Sequence, residues 1–364
     1  MASNKSERQV KLFSALELRE VIIPNRIMIS PMCQYCAKDG VPHDWHFVHL
    51  AARAVGGAGI VMTEAVAVEP LGRITPYDVG LWSDEQESAF RRIASFISEQ
   101  GSIPGLQLAH AGRKASHSRP WEDRRRVPPS GGGWTVIGPS PIPWAPEESV
   151  PKELTTHDIA RLTTTFQDAA QRALRAGFRL LELHAAHGYL LHSFLSPMTN
   201  HRRDEYGGDF EGRTRFIVEV VNAIREVWPA ELPLFVRISA TDWINNGWGL
   251  DDSVRLAKLL TSMGVDVIDC SSGGIMPGVD IKPHAGYQIP FAAKIRREAG
   301  VRTVAVGMIS EPSQAEDIIA NGRADLVAIG RLALWDPYWP HHAAKKLEAR
   351  VQLPKQYERA NIFN

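Results

Sequence analysis

Short apolar, β-branched runs recur down the chain, with stretches of helical spacing between them. The runs cover 26–32, 59–68, 103–109, 179–184, 232–239, 265–271, 302–306 and 324–329. Stretches such as Ile60-Val61-Met62-Thr63 and Leu326-Val327-Ala328-Ile329 are nearly continuous. They suit strands covered on both faces, as a parallel sheet requires. Helical spacing follows over 45–55, 84–99, 156–176, 212–227, 250–263, 287–299, 312–320 and 340–349. Ser83-Asp84, Thr155-Thr156 before His157-Asp158, Asp251-Asp252 and Glu311-Pro312 are start signals. Gly56, Gly101, Gly177, Gly264, Gly300 and Gly322 are stop signals.

Eight alternating units predict an α/β fold, a single (β/α)8 TIM barrel over 1–364. The length beyond a minimal barrel then lies in loops. The longest, 112–154, is rich in Pro, Gly and Trp, follows the third strand, and reads as a lid over the catalytic face. Its Arg124-Arg125-Arg126, beside Glu122 and Asp123, reads as a solvated turn rather than a phosphate contact. A doubly wound sheet would open with a Gly-rich turn after its first strand. Here Gly56-Gly57-Ala58-Gly59 precedes a strand instead, which excludes the dinucleotide fingerprint.

Composition narrows the class. The 364 residues are 44% hydrophobic, and 41 Lys and Arg balance 41 Asp and Glu, so no global field attracts nucleic acid or an anionic membrane. Three cysteines, Cys33, Cys36 and Cys270, are too few for a secreted disulfide framework and fit a reducing compartment. Residues 1–10 lack the apolar centre of a signal peptide, and no run approaches the ~20 apolar residues of a membrane span. The expectation is a cytoplasmic protein.

In a barrel the chemistry lies beyond the carboxyl ends of the strands. Gly307, Gly330 and Arg331, after strands seven and eight, read as a cradle for a phosphorylated ligand, since glycine admits backbone N–H groups and arginine adds a forked donor. Arg237 interrupts an apolar strand and needs either an electron-rich ligand at the barrel mouth or a neighbouring acid. His184 and His187 lack the remaining ligands of a zinc shell. With Tyr189 nearby they read instead as donors that hold and polarise a carbonyl oxygen. Cys33 and Cys36 form a C-x-x-C, but the pair follows a strand rather than opening a helix. Cys33 is therefore a soft contact to a cofactor ring rather than half of a redox dithiol.

Together these strand ends resemble the old yellow enzyme family of FMN-dependent ene-reductases, in its thermophilic-like branch that includes xenobiotic reductases. The resemblance runs from Asn25-Arg26 to Gln356-Tyr357-Glu358-Arg359. It is carried by Ser30-Pro31-Met32-Cys33-Gln34-Tyr35, by Gln107-Leu108-Ala109-His110-Ala111-Gly112-Arg113-Lys114, and by His184-Ala185-Ala186-His187-Gly188-Tyr189. Thr199-Asn200-His201-Arg202 with Asp204 to Gly208, and Ile329-Gly330-Arg331, complete it. The resemblance implies that Ser30, Pro31, Met32, Cys33, Ala65 and Gln107 line the isoalloxazine. It puts Arg237 at the N1 side of the ring, and Gly307, Met308, Gly330 and Arg331 at the phosphate. It assigns the substrate carbonyl to His184 and His187, proton donation to Tyr189, and substrate or interface contacts to Tyr35 and Lys114. NADPH, or NADH, then gives hydride to flavin N5, and an enone or enal receives it at Cβ in ping-pong fashion. The terminal Arg359, in the 350–364 tail, is expected to enter a neighbouring subunit's site in a homodimer or homotetramer.

Cys36, the 118–134 loop and the extension past Arg359 depart from the family pattern. A metal-dependent lyase or hydrolase using His184 and His187, and a flavin-binding protein without turnover, are the rival readings. A dienoyl-CoA reductase is disfavoured, because that group carries an iron–sulfur cluster and an added dinucleotide domain.

Overall fold

The computed structural model describes residues 10–123 and 125–363. Arg124, the polar start of the chain and Asn364 lie outside the described residues. Eight parallel strands close into a barrel: β1 (Ile27–Ile29), β2 (Ile60–Ala67), β3 (Ile103–Ala109), β4 (Leu180–Ala185), β5 (Leu234–Ser239), β6 (Val267–Ser271), β7 (Arg302–Ala305) and β8 (Leu326–Ile329). Each pairs with its neighbours in sequence, and β8 pairs with β1 to complete the ring. Every residue of β2, β4, β5 and β6 is buried, which is why these strands read as unbroken apolar runs.

The outer ring is α1 (Asp44–Val55), α2 (Asp84–Glu99), α3 (Thr156–Arg175), α4 (Phe210–Val227), α5 (Leu250–Ser262), α6 (Ile289–Ala299), α7 (Pro312–Ala320) and α8 (Trp339–Lys346). α2 shows how the sequence sets them. The Ser83 hydroxyl accepts from Gln86 N, Gln86 reaches back to Ser83 N, and Phe90, Ile93, Ala94 and Ile97 form the buried stripe. α3 repeats the device with Thr155 and Asp158 and buries Ile159, Leu162, Phe166 and Ala173. Each large side chain in such a stripe contributes about 1.5–3 kcal/mol by leaving water.

Two cap expectations change in detail. α5 is capped at Gly249 through Asp252 rather than at Asp251, and Gly56 is right-handed, with the left-handed turn falling on Gly57. The spacing also misses several short elements. A hairpin of Leu16–Leu18 with Val21–Ile23 packs Leu18, Val21 and Ile23 under the strand starts, and Arg19 at its turn pairs with Asp266 just before β6. Short helices Leu190–Leu195 and Arg331–Trp335 follow β4 and β8. Within 112–154, Ile137–Gly138 pairs with Lys152–Glu153.

That 112–154 segment is anchored rather than loose. Arg126, expected in a solvated turn, has a side chain only 10% exposed, while Arg125 is 82% exposed. The Arg126 guanidinium donates to Ala115 O, Arg113 O and the Glu148 carboxylate, and Glu148 also takes a hydrogen bond from His117 at 2.7 Å. The acid that pairs with Arg126 lies 22 residues away, beyond the reach of local charge patterning, so the turn read as solvated is instead an anchor. Among the described residues no helix is long and apolar enough to cross a membrane.

Candidate active site

The β4 and β6 ends bring two imidazoles and a serine together at the barrel rim. His184 Nδ1 accepts from Ala186 N at 3.2 Å, so a neutral His184 carries its proton on Nε2. That nitrogen lies 3.3 Å from His187 Nδ1, and His187 Nε2 lies 2.6 Å from Ser271 Oγ. Both rings are held far toward the neutral form, first by burial and then by the Arg237 charge. The His187 main chain sits at φ 59°, fixed by Ser239 Oγ accepting from its N–H and by Lys114 Nζ donating to its carbonyl at 2.8 Å. Gly274 allows this: a Cβ there would lie 2.7 Å from His187 Cα. Tyr189 stacks edge-on against His184 with ring centroids 4.9 Å apart.

Below the rim, two cross-strand pairs fill the barrel. Gln107 and Glu182 stand in register on β3 and β4, and Arg237 and Asp269 on β5 and β6. Arg237 Nε is 3.1 Å from Asp269 Oδ2, a contact too bent for an aligned hydrogen bond. Arg237 therefore does have a structural acid partner, one of the two alternatives its strand allowed.

At the β1 end, the 30–35 loop crosses the rim. Ser30 N continues the pairing to Ile329 O, and Gln34 N donates to Glu64, which occupies a one-residue bulge in β2. Burial raises the Cys33 thiol well above its usual range, helped by Glu64 and Asp78. It stays a neutral sulfur, unlike the acidified thiol of a reactive dithiol. Tyr35, at φ 53°, meets Trp121 of the 112–154 segment edge-on at 6.0 Å.

On the β7 and β8 side, Gly307 has φ 129°, a region closed to other residues, and a Cβ there would press within 3.2 Å of Tyr287 and Gln288. Met308 follows at φ 51° and is 45% exposed. A Cβ on Gly330 would approach only Ser30 and Met32, at 3.9 and 4.0 Å, and Arg331 is exposed beside it. Ser30 and Met32 thus lie beside Gly330, and Gly307 packs against Tyr287 and Gln288. Arg359 is exposed in the tail, whose stretch Arg350–Gln356 lines a cavity of about 620 Å3 with Asn25, Gly57 and Ser102. Those residues flank the strand starts, so this cavity lies opposite the rim.

Lys114 also shows what the sequence hides: its ammonium bridges the His187 and Gly274 carbonyls, 4.9 Å from the centre of the Trp144 ring. Ser239, Ser271, Glu182 and Asp269 join the site through contacts that the sequence does not display. The two acids carried the same signal as Arg237, a charge inside an apolar strand. A different group, Cys36, His43 and His46, has one ligand-type atom from each residue within 4.8 Å of the others. Its imidazoles cap α1, however, with both Nδ1 atoms accepting backbone N–H groups. Their Nε2–H groups then point at Cys36 O and toward Cys36 Sγ, the wrong polarity for a cation.

A closed eight-stranded parallel barrel with a polar, glycine-containing rim defines the TIM-barrel class, whose sites lie at the carboxyl ends of the strands. The comparisons carry this further. The profile of the NADH:flavin oxidoreductase / NADH oxidase family matches residues 11–350. An NADPH dehydrogenase of Geobacillus thermodenitrificans is 46% identical over 97% of this chain and 99% of its own, and one of Bacillus subtilis is 44% identical over 96% and 98%. Among solved structures, morphinone reductase aligns with a TM-score of 0.78 at 28% identity, over 96% of this chain and 93% of that one. The chain belongs to the NADH:flavin oxidoreductase / NADH oxidase family. It is an NAD(P)H-dependent flavin oxidoreductase of the old yellow enzyme type that uses FMN. The residues present are compatible with that group: a Cβ built on Gly330 meets only Ser30 and Met32 within 4 Å, Arg331 beside it is exposed, and the Arg237 guanidinium is buried inside the barrel.

Proposed function

We propose that the enzyme is an ene-reductase acting on enones and enals. The observation that carries this reading is the His184 Nε2 to His187 Nδ1 approach of 3.3 Å at the rim, between rings held neutral. An oxygen seated beside both atoms meets His184 Nε2–H, a donor already in place, and the His187 ring, in a buried and poorly hydrated site. N–H donors there are worth most as charge develops on that oxygen during reduction of the conjugated alkene. FMN, when bound, supplies the hydride transfer, with NADPH as its donor.

In this reading Gly307, Met308, Gly330 and Arg331 hold the phosphate, and Arg237 faces the N1 edge of the ring. Ser30, Pro31, Met32, Cys33, Ala65 and Gln107 line the ring plane. Tyr35 bounds the substrate from the 30–35 loop, and Tyr189 gives the proton to Cα. The 112–154 segment acts as a lid on a single domain, with Trp121 against Tyr35. We also propose a cytoplasmic homo-oligomer built from dimers, with Arg359 reaching the neighbouring subunit's site. Sedimentation together with an Arg359→Ala variant tests that arrangement, and a monomer with unchanged enone KM refutes it.

The central test separates the two half-reactions. Replacing His184 and His187 together by Ala leaves anaerobic bleaching by NADPH largely intact and abolishes reoxidation by 2-cyclohexenone. Equal loss of both halves removes the assigned role, and an unbleached wild-type flavin removes the reading.

A further inference from the structure

His187 is wired in the wrong sense for its proposed task. With the His184 proton on Nε2, His187 Nδ1 must accept, so its own proton sits on Nε2 and goes to Ser271 Oγ, 2.6 Å away. A substrate oxygen between the rings needs the reverse at His187: a proton on Nδ1, where the oxygen can take it. Turning the ring over in place does not supply this. Ser239 Oγ and Lys114 Nζ clamp the His187 main chain, and Gly274 closes against it. A half-turn about Cβ–Cγ only puts a carbon where Nδ1 stands. What remains is a change of tautomer, with the ring neutral before and after and its proton exchanged with solvent.

In the Nδ1–H form, Nε2 becomes a lone pair in a buried setting and needs a donor. A serine hydroxyl both donates and accepts, and it meets either demand without moving. We propose that Ser271 is a positioning residue that lets His187 switch tautomer: it accepts from Nε2–H in the empty site and donates to the same atom once a carbonyl oxygen lies between His184 and His187. The proposal rests on the oxygen-binding role of the histidine pair given above. It goes further in assigning the switch to one ring and one hydroxyl.

The test is nitrogen NMR of 15N-histidine-labelled, FMN-loaded, oxidised protein, with His184→Asn and His187→Asn variants to assign the signals. The probe is 2-cyclohexenone, added without NADPH so that nothing turns over. Without the enone, His187 Nε2 resonates at the pyrrole-type position and Nδ1 at the pyridine-type position. Saturating enone exchanges the two, while His184 keeps its tautomer. Ser271→Ala leaves both His187 nitrogens at averaged positions with and without enone, and Ser271→Thr restores the two distinct states. An enone that shifts His184 signals but leaves His187 in one tautomer, or an Ala variant that switches like wild type, overturns the proposal alone. An enone that shifts neither histidine overturns it together with the oxygen-binding reading beneath it.

Discussion

Gln107 and Glu182 stand opposite each other on adjoining barrel strands, and the Gln107 amide donates to Glu182 Oε1 at 2.7 Å. The other carboxyl oxygen, Oε2, has no hydrogen-bond partner among the described residues, and neither has Asp269. Two acids thus share one guanidinium, Arg237, in a dry layer under the rim. Burial, then the Asp269 charge, pushes the Glu182 carboxyl well above its ordinary value, toward the protonated form. Because that folded value exceeds the unfolded one, the protonated acid favours the fold most at low pH. The contribution falls as pH rises toward the folded value. Glu182→Gln keeps the acceptor and removes the titration. Its urea-unfolding stability is expected to vary less than wild type between about pH 5 and pH 8.5, and parallel profiles would refute the assignment.

The barrel was legible because its strands are buried on both faces and its helices carry caps. Eight runs and eight amphipathic stretches emerge directly, to within a few residues. The hairpin at Leu16–Leu18 and the helix Leu190–Leu195 escaped because elements of three and six residues are too short for a repeating hydrophobic pattern to stand out. The rim was legible in residue type at His184, His187 and Gly307. The Ser271 contact to His187 was not, nor was the bridge that Lys114 makes to the His187 carbonyl, as those partners lie 84 and 73 residues away and only closure of the ring sets the contacts. Arg126 failed for the same reason, its acid being across the lid.

Gly307→Ala tests the phosphate cradle. The native φ of 129° costs a residue with a Cβ on the order of 1–3 kcal/mol, and that Cβ also presses on Tyr287. FMN affinity is expected to fall about tenfold or more, read by titrating the apoprotein with FMN fluorescence. Wild-type affinity would move the phosphate away from this turn.

Gly274→Ala tests the clamp on His187 from the loop after β6. At φ 87°, its Cβ would meet His187 Cα, C and O at 2.7 to 2.9 Å, so the backbone bearing the ring must shift. A displacement of this kind costs on the order of 100-fold in catalysis when it disturbs a positioned group. The loss is expected in enone turnover, with flavin reduction by NADPH within about twofold of wild type. A reductive half-reaction that falls equally would mean that Gly274 serves the whole site.

Arg126→Met tests whether the 112–154 segment is held from within. The substitution leaves the Ala115 and Arg113 carbonyls without their donor and leaves Glu148 with His117 alone. Removing one partner of a nearly buried ion pair costs about 3–5 kcal/mol, because the remaining charge stays dehydrated. The cost is local, since α2, α3 and the barrel do not depend on these bonds. Protease cleavage within 118–150 is therefore expected to accelerate at least tenfold while the main thermal transition shifts little. Acid should imitate the variant. His117 and Arg126 hold the Glu148 carboxyl below its ordinary value against the opposing pull of burial, so its contribution is present above the unfolded value and is lost as pH falls through the folded one. Wild-type cleavage should then speed up on acidification below about pH 4.5, whereas Arg126→Met, already loosened, should respond less. Equal acceleration in both proteins would show that the anchor lies elsewhere in the lid.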